Sequence, residues 1–378
     1  MEKRYNFRIY PNGEQEAQIQ KNFGCVRFVY NYFLNKRIEQ YKAGGGIYSY
    51  YDASRDLTQL KKQEEYAWLK EADSHSLQNA LKNMNYAFSE FFRRVREKSG
   101  APGFPRYKTK RETRQSYTTQ AQAGKEVISF EGNRKIRLPK IGLVDCRASR
   151  QIEGRILSAS VSQAPSGKYF VSVCCTDIEP EPFPLTGEAV GLHFGIRTLA
   201  VTSDGENIEN NRYLEKTQKK ISRLQRSVSR KPKGSANREK ARIALAKAYE
   251  RVKDQRTDTL QKLTTQLVRD YDTICVRGED LAKMVRARPY SYYLSDASWG
   301  ELVRQLKYKC AWYGKTLIEV EPKFPSAQLC SSCGSRNAEL ANKPTQKWAC
   351  AVCGATHERA RNAAINTLNE GLRMAAAT

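Results

Sequence analysis

The chain is expected to fold as an α+β multidomain protein, with helices and a small β unit in its amino-terminal half and an α/β domain with a four-cysteine zinc site in its carboxy-terminal half. Three observations carry this. Apolar residues recur at three- and four-residue spacings in two stretches before residue 100, short β-type runs fill residues 115–178, and strands alternate with helices after a proline-rich break, up to two CxxC pairs.

Residues 5–10 read as a short strand. Over 13–42, Ile19, Phe23, Val26 and Tyr30 fall on one helix face. The stretch SHSLQNALKNMNYAFSEFFRRVREK is a second helix, with Ser74 or Ser76 as its cap and Leu77, Leu81, Met84, Phe88 and Phe91 as its apolar stripe; GAPGFP stops it. From about 115 to 178 the runs KEVISF, RKIRLP and ILSASVSQAPSGKYFVSVCC predict a small barrel or sheet, with PSG as a hairpin turn. EPEPFP at 179–184 suits neither a helix nor a central strand and marks a domain boundary. Beyond it come the hairpin AVGLHFGIRTLAVTSDGENI, helices over 213–270, the buried strand YDTICVRG, a helix at 295–313 and the strand TLIEVE, an α/β pattern.

Lys and Arg number 65 against 40 Asp and Glu, a formal charge of +25 that asks for a polyanionic partner. A ribosomal-type or membrane-surface protein would share that charge. The 21 Tyr and 13 Phe spread among the basic residues favour a surface that also stacks on bases. No stretch approaches the roughly 20 apolar residues of a membrane span, so a cytoplasmic protein without a membrane partner is expected. Between Lys216 and Arg256 the local charge is +12, and Arg223, Arg226, Arg230, Lys231, Lys233, Arg238 and Lys240 are candidate phosphate contacts. Phe104, Tyr107 and Tyr117 interleave with Arg106, Lys108, Lys110, Arg111 and Arg114, a composition suited to stacking and phosphate contact, although core packing explains the aromatics equally well.

Six of the ten cysteines stand singly or adjacent within apolar runs, which fits a reducing compartment better than a disulfide framework. The other four form Cys330-Ser-Ser-Cys333 and Cys350-Ala-Val-Cys353, separated by 16 residues. Four thiolates in two knuckles suit tetrahedral zinc with Zn–S near about 2.3 Å, and a closed site of this kind is structural. Gly334 and Gly354 follow the second cysteine of each pair, where the turn needs positive φ.

Taken with PNGEQEAQIQKNFGCVRFVYNYFLN, GFPRYKTKRETRQSY, KGSANREKARIALAKAYERVKDQR, SWGELVRQLKYKCAWYGK and FPSAQLCSSCG, these motifs resemble the TnpB family, compact relatives of type V CRISPR effectors, over nearly the whole chain. The resemblance implies a wedge-type β domain (1–12 and 112–184), a helical recognition domain (13–111), an RNase H-like RuvC domain (185–327 and 356–378) and a zinc ribbon (328–355). It implies a guide RNA and target double-stranded DNA as partners. By the same resemblance Tyr51, Ser76, Gln78, Asn79 and Lys82 read a duplex motif beside the target, against the plainer reading of ordinary solvated residues.

The family's nuclease holds two magnesium ions with Asp on its first strand, Glu after a later strand and Asp on its last helix. Here the matching patterns are Gly191-Leu192-His193-Phe194-Gly195, Glu279-Asp280-Leu281 and His357-Glu358-Arg359-Ala360-Arg361-Asn362-Ala363-Ala364. Neutral His193 supplies no negative charge, Ala360 binds no metal, and Glu279 alone cannot hold two ions. His193 reads first as a buried histidine satisfied by a backbone partner, with a repurposed transition-metal ligand as the alternative. Glu358 lies roughly 200° around the helix from Ala360, and Asp204 falls at a hairpin tip. The expectation is therefore an inactive nuclease without catalytic Mg²⁺, similar to the TnpB-like nuclease-dead repressors (TldR): a transposon-derived protein that binds DNA under RNA guidance without cutting it and represses transcription at the bacterial nucleoid. Two alternatives stay open, an active endonuclease with a rearranged metal site and a guide-free basic zinc protein accessory to transposition. The guide sequence and target gene would lie in RNA outside this chain, and neither the adjacent motif nor a monomer or dimer state is written in the sequence.

Overall fold

Tyr5, Phe7 and Ile9 are buried while Arg4, Asn6 and Arg8 between them face solvent, and this period of two makes β1 (Lys3–Tyr10) a strand with one covered face. In the computed structural model, which describes residues 1–98, 102–111, 115–122, 124–278, 296–341 and 345–377, the chain divides into two units, Met1–Glu179 and Pro180–Thr378.

In the first unit β1 lies inside a seven-stranded antiparallel sheet with β2 (Gln115–Gln120), β3 (Ser129–Glu131), β4 (Lys135–Leu138), β5 (Gly142–Arg147), β6 (Arg155–Gln163) and β7 (Tyr169–Thr176), in the order β2-β6-β7-β1-β5-β4-β3. The order is open: β2 and β3 stand at its ends, and no pairing between them closes a barrel among the described residues. The PSG turn joins β6 to β7, its Gly167 amide donating to the Ala164 carbonyl at 2.9 Å.

Three helices share the core of this sheet. α1 (Gly13–Lys42) begins in a capping box in which the Gln15 amide donates to Asn12 Oδ1 at 2.9 Å and the Asn12 amide to Gln15 Oε1 at 3.0 Å. Ser49 and Asp52 start α2 (Tyr50–Leu60) in the same way. α3 (Ser74–Glu97) is capped by neither Ser74 nor Ser76 but by Asp73, whose carboxylate accepts the Ser76 amide at 2.9 Å. Its stripe of Leu77, Leu81, Met84 and Phe88 is buried, and helices and sheet share one apolar core.

The second unit holds a five-stranded sheet of β8 (Ala189–Phe194), β9 (Thr198–Thr202), β10 (Asn207–Glu209), β11 (Thr273–Arg277) and β12 (Thr316–Val320), ordered β10-β9-β8-β11-β12. The β8–β9–β10 pairs are antiparallel, and β8–β11 and β11–β12 are parallel. Parallel neighbours need crossovers. Between β10 and β11 run α4 (Tyr213–Ser229) and α5 (Ala236–Asp270), and before β12 runs α6 (Trp299–Tyr313). The last helix, α7 (Arg359–Ala376), lies across the sheet at Gly191, where a Cβ would collide with the Ala364 carbonyl oxygen, so only glycine permits this approach. Buried Lys315 pairs with Asp272 and donates to the Pro184 carbonyl at 2.7 Å, tying the segment before β8 to the sheet edge. A small hairpin of β13 (Lys347–Ala349) and β14 (Thr356–Glu358) carries the second CxxC pair. Among the described residues no helix is long and apolar enough to cross a membrane.

Candidate functional site

The four cysteines of the CxxC pairs converge, with all four sulfurs within 4.8 Å of one another. Two like turns produce this. The Gly334 amide donates to the Cys330 carbonyl at 2.8 Å and the Gly354 amide to the Cys350 carbonyl at 2.9 Å, and both glycines have positive φ, 76° and 72°. The Cys330–Cys353 and Cys333–Cys350 sulfurs are 3.6 and 3.7 Å apart, close to the edge of about 3.8 Å that a tetrahedron with Zn–S of about 2.3 Å requires. The cluster can therefore hold zinc. The Ser335 hydroxyl, 3.1 Å from Cys350 Sγ, holds that thiol below its ordinary range, which favours the thiolate a metal needs. His357 Nε2 sits 3.1 Å from Cys330 Sγ. The remaining six cysteines are buried free thiols, and burial pushes Cys275 and Cys310 up to about 11.

The ribbon is tied to α7 by two buried asparagines that sequence reading did not single out. Asn362 accepts the Ser331 amide at 2.9 Å and donates to the Leu329 carbonyl at 2.7 Å, and Asn366 donates to the carbonyls of Ser326 and Leu329 at 2.8 and 2.7 Å. Two amide side chains one turn apart on a helix directly after CxxC were the available signal.

His193 lies on β8, paired in register with Val201. Burial, then Arg277 on β11 and Arg359 on α7, hold its pKa down at about 4. Ala360 sits half-buried in the first turn of α7, and Glu279 lies outside the described residues. Asp204 is engaged elsewhere, accepting the Tyr271 hydroxyl at 2.7 Å.

The basic candidates sort by exposure. On the α4–α5 hairpin Arg223, Arg226, Arg230, Lys233 and Lys240 face solvent. Arg238 instead turns inward and donates to the carbonyls of Val228 and Lys231 at 3.0 and 2.8 Å, closing the end of α4, while Lys231 reaches the Ser227 hydroxyl at 3.0 Å. Arg106, Lys110 and Arg111 are exposed, whereas Lys108 lies over the Tyr30 ring at 4.3 Å. Tyr117 is a core residue against Phe23, so it leaves the stacking set. Arg114 lies outside the described residues.

Of the residues expected to read a duplex motif, Tyr51, Gln78 and Lys82 are exposed, Tyr51 at 81%. Ser76 is not available: it is fully buried and its hydroxyl donates to the Asp73 carbonyl at 2.6 Å. Asn79 is half-buried and donates to the Thr118 carbonyl of β2 at 2.9 Å, so its amide holds the sheet.

Comparison with known proteins adds a family to this geometry. A family described as "Probable transposase" matches residues 172–288, a "Helix-turn-helix domain" matches 1–46 and a "Cas12f1-like, TNB domain" matches 299–367. A Streptomyces pristinaespiralis protein named "Putative RNA-guided DNA endonuclease" is 38% identical over 374 residues, 98% of this chain and 90% of its own. An Escherichia coli K12 protein, "Putative RNA-guided DNA endonuclease InsQ", is 32% identical over 97% of this chain and 92% of its own. The chain belongs to the TnpB family. Residues 1–46 of this TnpB protein fold as β1 and the single long helix α1, whatever the matching domain's name suggests. Among solved structures, the "Cas12f1-sgRNA-target DNA complex" covers 98% of this chain and is itself covered to 99%, at 15% identity and TM-score 0.36. The "mini-RNA-guided endonuclease CRISPR-Cas_phi3" covers 99% with 92% of its own chain, at 10% identity and TM-score 0.48. Both likenesses are too loose to carry a structural inference.

Membership overturns one expectation. A chain that is not an enzyme was expected from His193 and Ala360, but the relatives that match this TnpB protein from end to end are named endonucleases, which points to an enzyme. Substitutions at two motif positions do not outweigh similarity spread over both halves of the chain.

Proposed function

We propose that this TnpB protein carries a guide RNA and with it recognises double-stranded DNA, the guide pairing with one strand while the protein reads a short neighbouring duplex motif. The observation that supports this most is the similarity along 98% of the chain to a relative named as RNA-guided. Division of labour follows from chemistry. Base pairing supplies sequence, and the protein holds the guide–target duplex through its backbone and A-form shape. Arg223, Arg226, Arg230, Lys233 and Lys240 are the phosphate contacts, and each neutralised phosphate makes binding more sensitive to salt. Exposed Tyr51, Gln78 and Lys82 present an aromatic ring, an amide and an amine to the motif.

The four cysteines hold zinc, which supplies rigidity and leaves no coordination position open for a reactant. By sequence pattern His193, Glu279 and Ala360 match the family's metal-binding carboxylates, and His193 and Ala360 would give a divalent ion no negative charge. Bound at a promoter, the complex would repress transcription by occupancy, a consequence of binding whether or not a strand is cut.

The test is to purify the full chain from its native locus, sequence the RNA that accompanies it, and measure binding and cutting separately on matched and scrambled duplexes with Mg²⁺. One discrete RNA and an affinity for the matched duplex about 10³-fold or more above the scrambled one are expected. No defined RNA, or equal affinity for both duplexes, would overturn the reading.

A further inference from the structure

Arg27 is half-buried on α1 and, among the described residues, has no acceptor and no aromatic ring beneath it. Other half-buried arginines are held: Arg37 by Asn85 and the Phe88 ring, Arg256 by Asp296, Arg238 by two carbonyls. A guanidinium partly withdrawn from water and left without a partner is an electrostatic cost that an anion would relieve.

The space beside it is large enough for one. Arg27 lines a groove of about 670 Å³ along α1 and also a hollow of about 50 Å³ that it shares with Lys108 and Gln115. Phe28 and Tyr32 line the groove, and Phe28 meets Trp68, 40% exposed, edge to face at 5.0 Å. Gly24 lies one turn before Phe28 in the same groove, and a Cβ there would meet nothing within 4 Å. Glycine inside a helix is destabilising, and no contact among the described residues calls for it here, whereas close approach by a ligand does. The neighbouring basic segment is anchored to α1: Asn31 pairs with both the amide and the carbonyl of Lys108, each at 2.8 Å, and the Tyr107 hydroxyl donates to Asn35 at 2.8 Å. Arg106, Lys110 and Arg111 are exposed along it.

We propose that this groove binds an unpaired nucleotide, its base against Phe28 and Tyr32 and its phosphate on Arg27. Within a duplex the faces of a base are covered by its neighbours, so a ring in a groove stacks on a base that has left its duplex, and the excess positive charge suits a phosphate backbone. The nucleotide belongs either to the guide RNA or to a single strand of the DNA target.

The test uses the full chain washed free of nucleic acid at high salt, with labelled 12-nucleotide oligouridine, oligothymidine and an abasic strand of equal length, and oligoglutamate as competitor. Arg27→Ala should weaken oligonucleotide binding about tenfold and reduce the salt slope by about one. Gly24→Leu should weaken it too, at an unchanged or higher melting temperature, because the new side chain enters open space. The abasic strand should bind weakly and not respond to Gly24→Leu. Tighter binding of oligouridine assigns the groove to the guide, and tighter binding of oligothymidine assigns it to the target strand. Folded variants that bind like the parent, an abasic strand that binds as well as oligouridine, or displacement by oligoglutamate at equal concentration would each overturn the proposal. Guided recognition of a matched duplex, measured in parallel, fails or holds separately, so loss of one reading is not mistaken for loss of the other.

Discussion

At His193 an imidazole on a sheet strand is withdrawn from water, and this burial first, then the charges of Arg277 on β11 and Arg359 on α7, hold it at about 4 against an ordinary 6.5. It is therefore neutral at pH 7 in the folded chain. The unfolded chain takes up its proton below about 6.5 and the folded chain only near 4, so the fold is stabilised fully above pH 6.5 and progressively less as pH falls toward 4. The loss should reach about 2 kcal/mol between pH 7 and pH 5. His193→Gln should flatten that part of the profile, measured by urea denaturation at the two pH values; an unchanged slope would place the proton uptake elsewhere. Ser76 gives a second contrast at this scale. A serine at the start of a helix suits a cap and a base-reading hydroxyl alike, and only the position of the first turn decides: Asp73 takes the cap and Ser76 is buried behind it. Asp73→Ala should cost about 1–2 kcal/mol of stability in the same assay. Ser76→Ala should leave any choice of duplex motif unaltered, while Gln78→Ala should relax it; the reverse pattern in a duplex-binding competition would refute this division of roles.

Helix α1 was legible over 13–42 because an apolar face at spacings of three and four is a local signal. The zinc knuckles were legible for the same reason. The role of Arg238 was not. Among seven basic residues of like composition it reaches from α5 to close the end of α4, which depends on where the end of α4 comes to rest beside the start of α5, a tertiary fact with no local trace. Arg27 escaped notice because a lone arginine within an apolar run reads as an ordinary boundary residue until its lack of a partner is seen. Within the α4–α5 hairpin this distinction has a measurable form. Arg238→Ala should lower stability by about 1–3 kcal/mol, the value of hydrogen bonds from a charged group. Arg226→Ala and Lys240→Ala should stay within about 0.5 kcal/mol of the parent. In nucleic-acid binding each of these last two should reduce the salt slope by about one across all sequences. A stability loss at Arg226 equal to that at Arg238 would mean that exposure does not separate their roles.

The molecule as a whole has two units, each with its own apolar core, so their stabilities need not move together. The zinc ribbon belongs to the second unit, and its grip on that unit runs through Asn362 and Asn366 to α7, which in turn lies against β8 at Gly191. Removing the metal should free the first knuckle, leave those two buried amides without partners, and loosen α7 over the sheet. Leaving buried polar groups unpaired costs about 1–3 kcal/mol each, which for a unit of this size corresponds to a fall in melting temperature of about 10 °C. Calorimetry with a strong chelator should therefore shift one transition and leave the other in place. Asn362→Ala should lower the same transition while the cluster still binds Co²⁺ with an unaltered thiolate absorption band. That separates the clamp from the metal itself, because a variant that loses cobalt along with stability would show that Asn362 builds the knuckle, and a variant that loses neither would show that α7 is held by its packing on β8 alone.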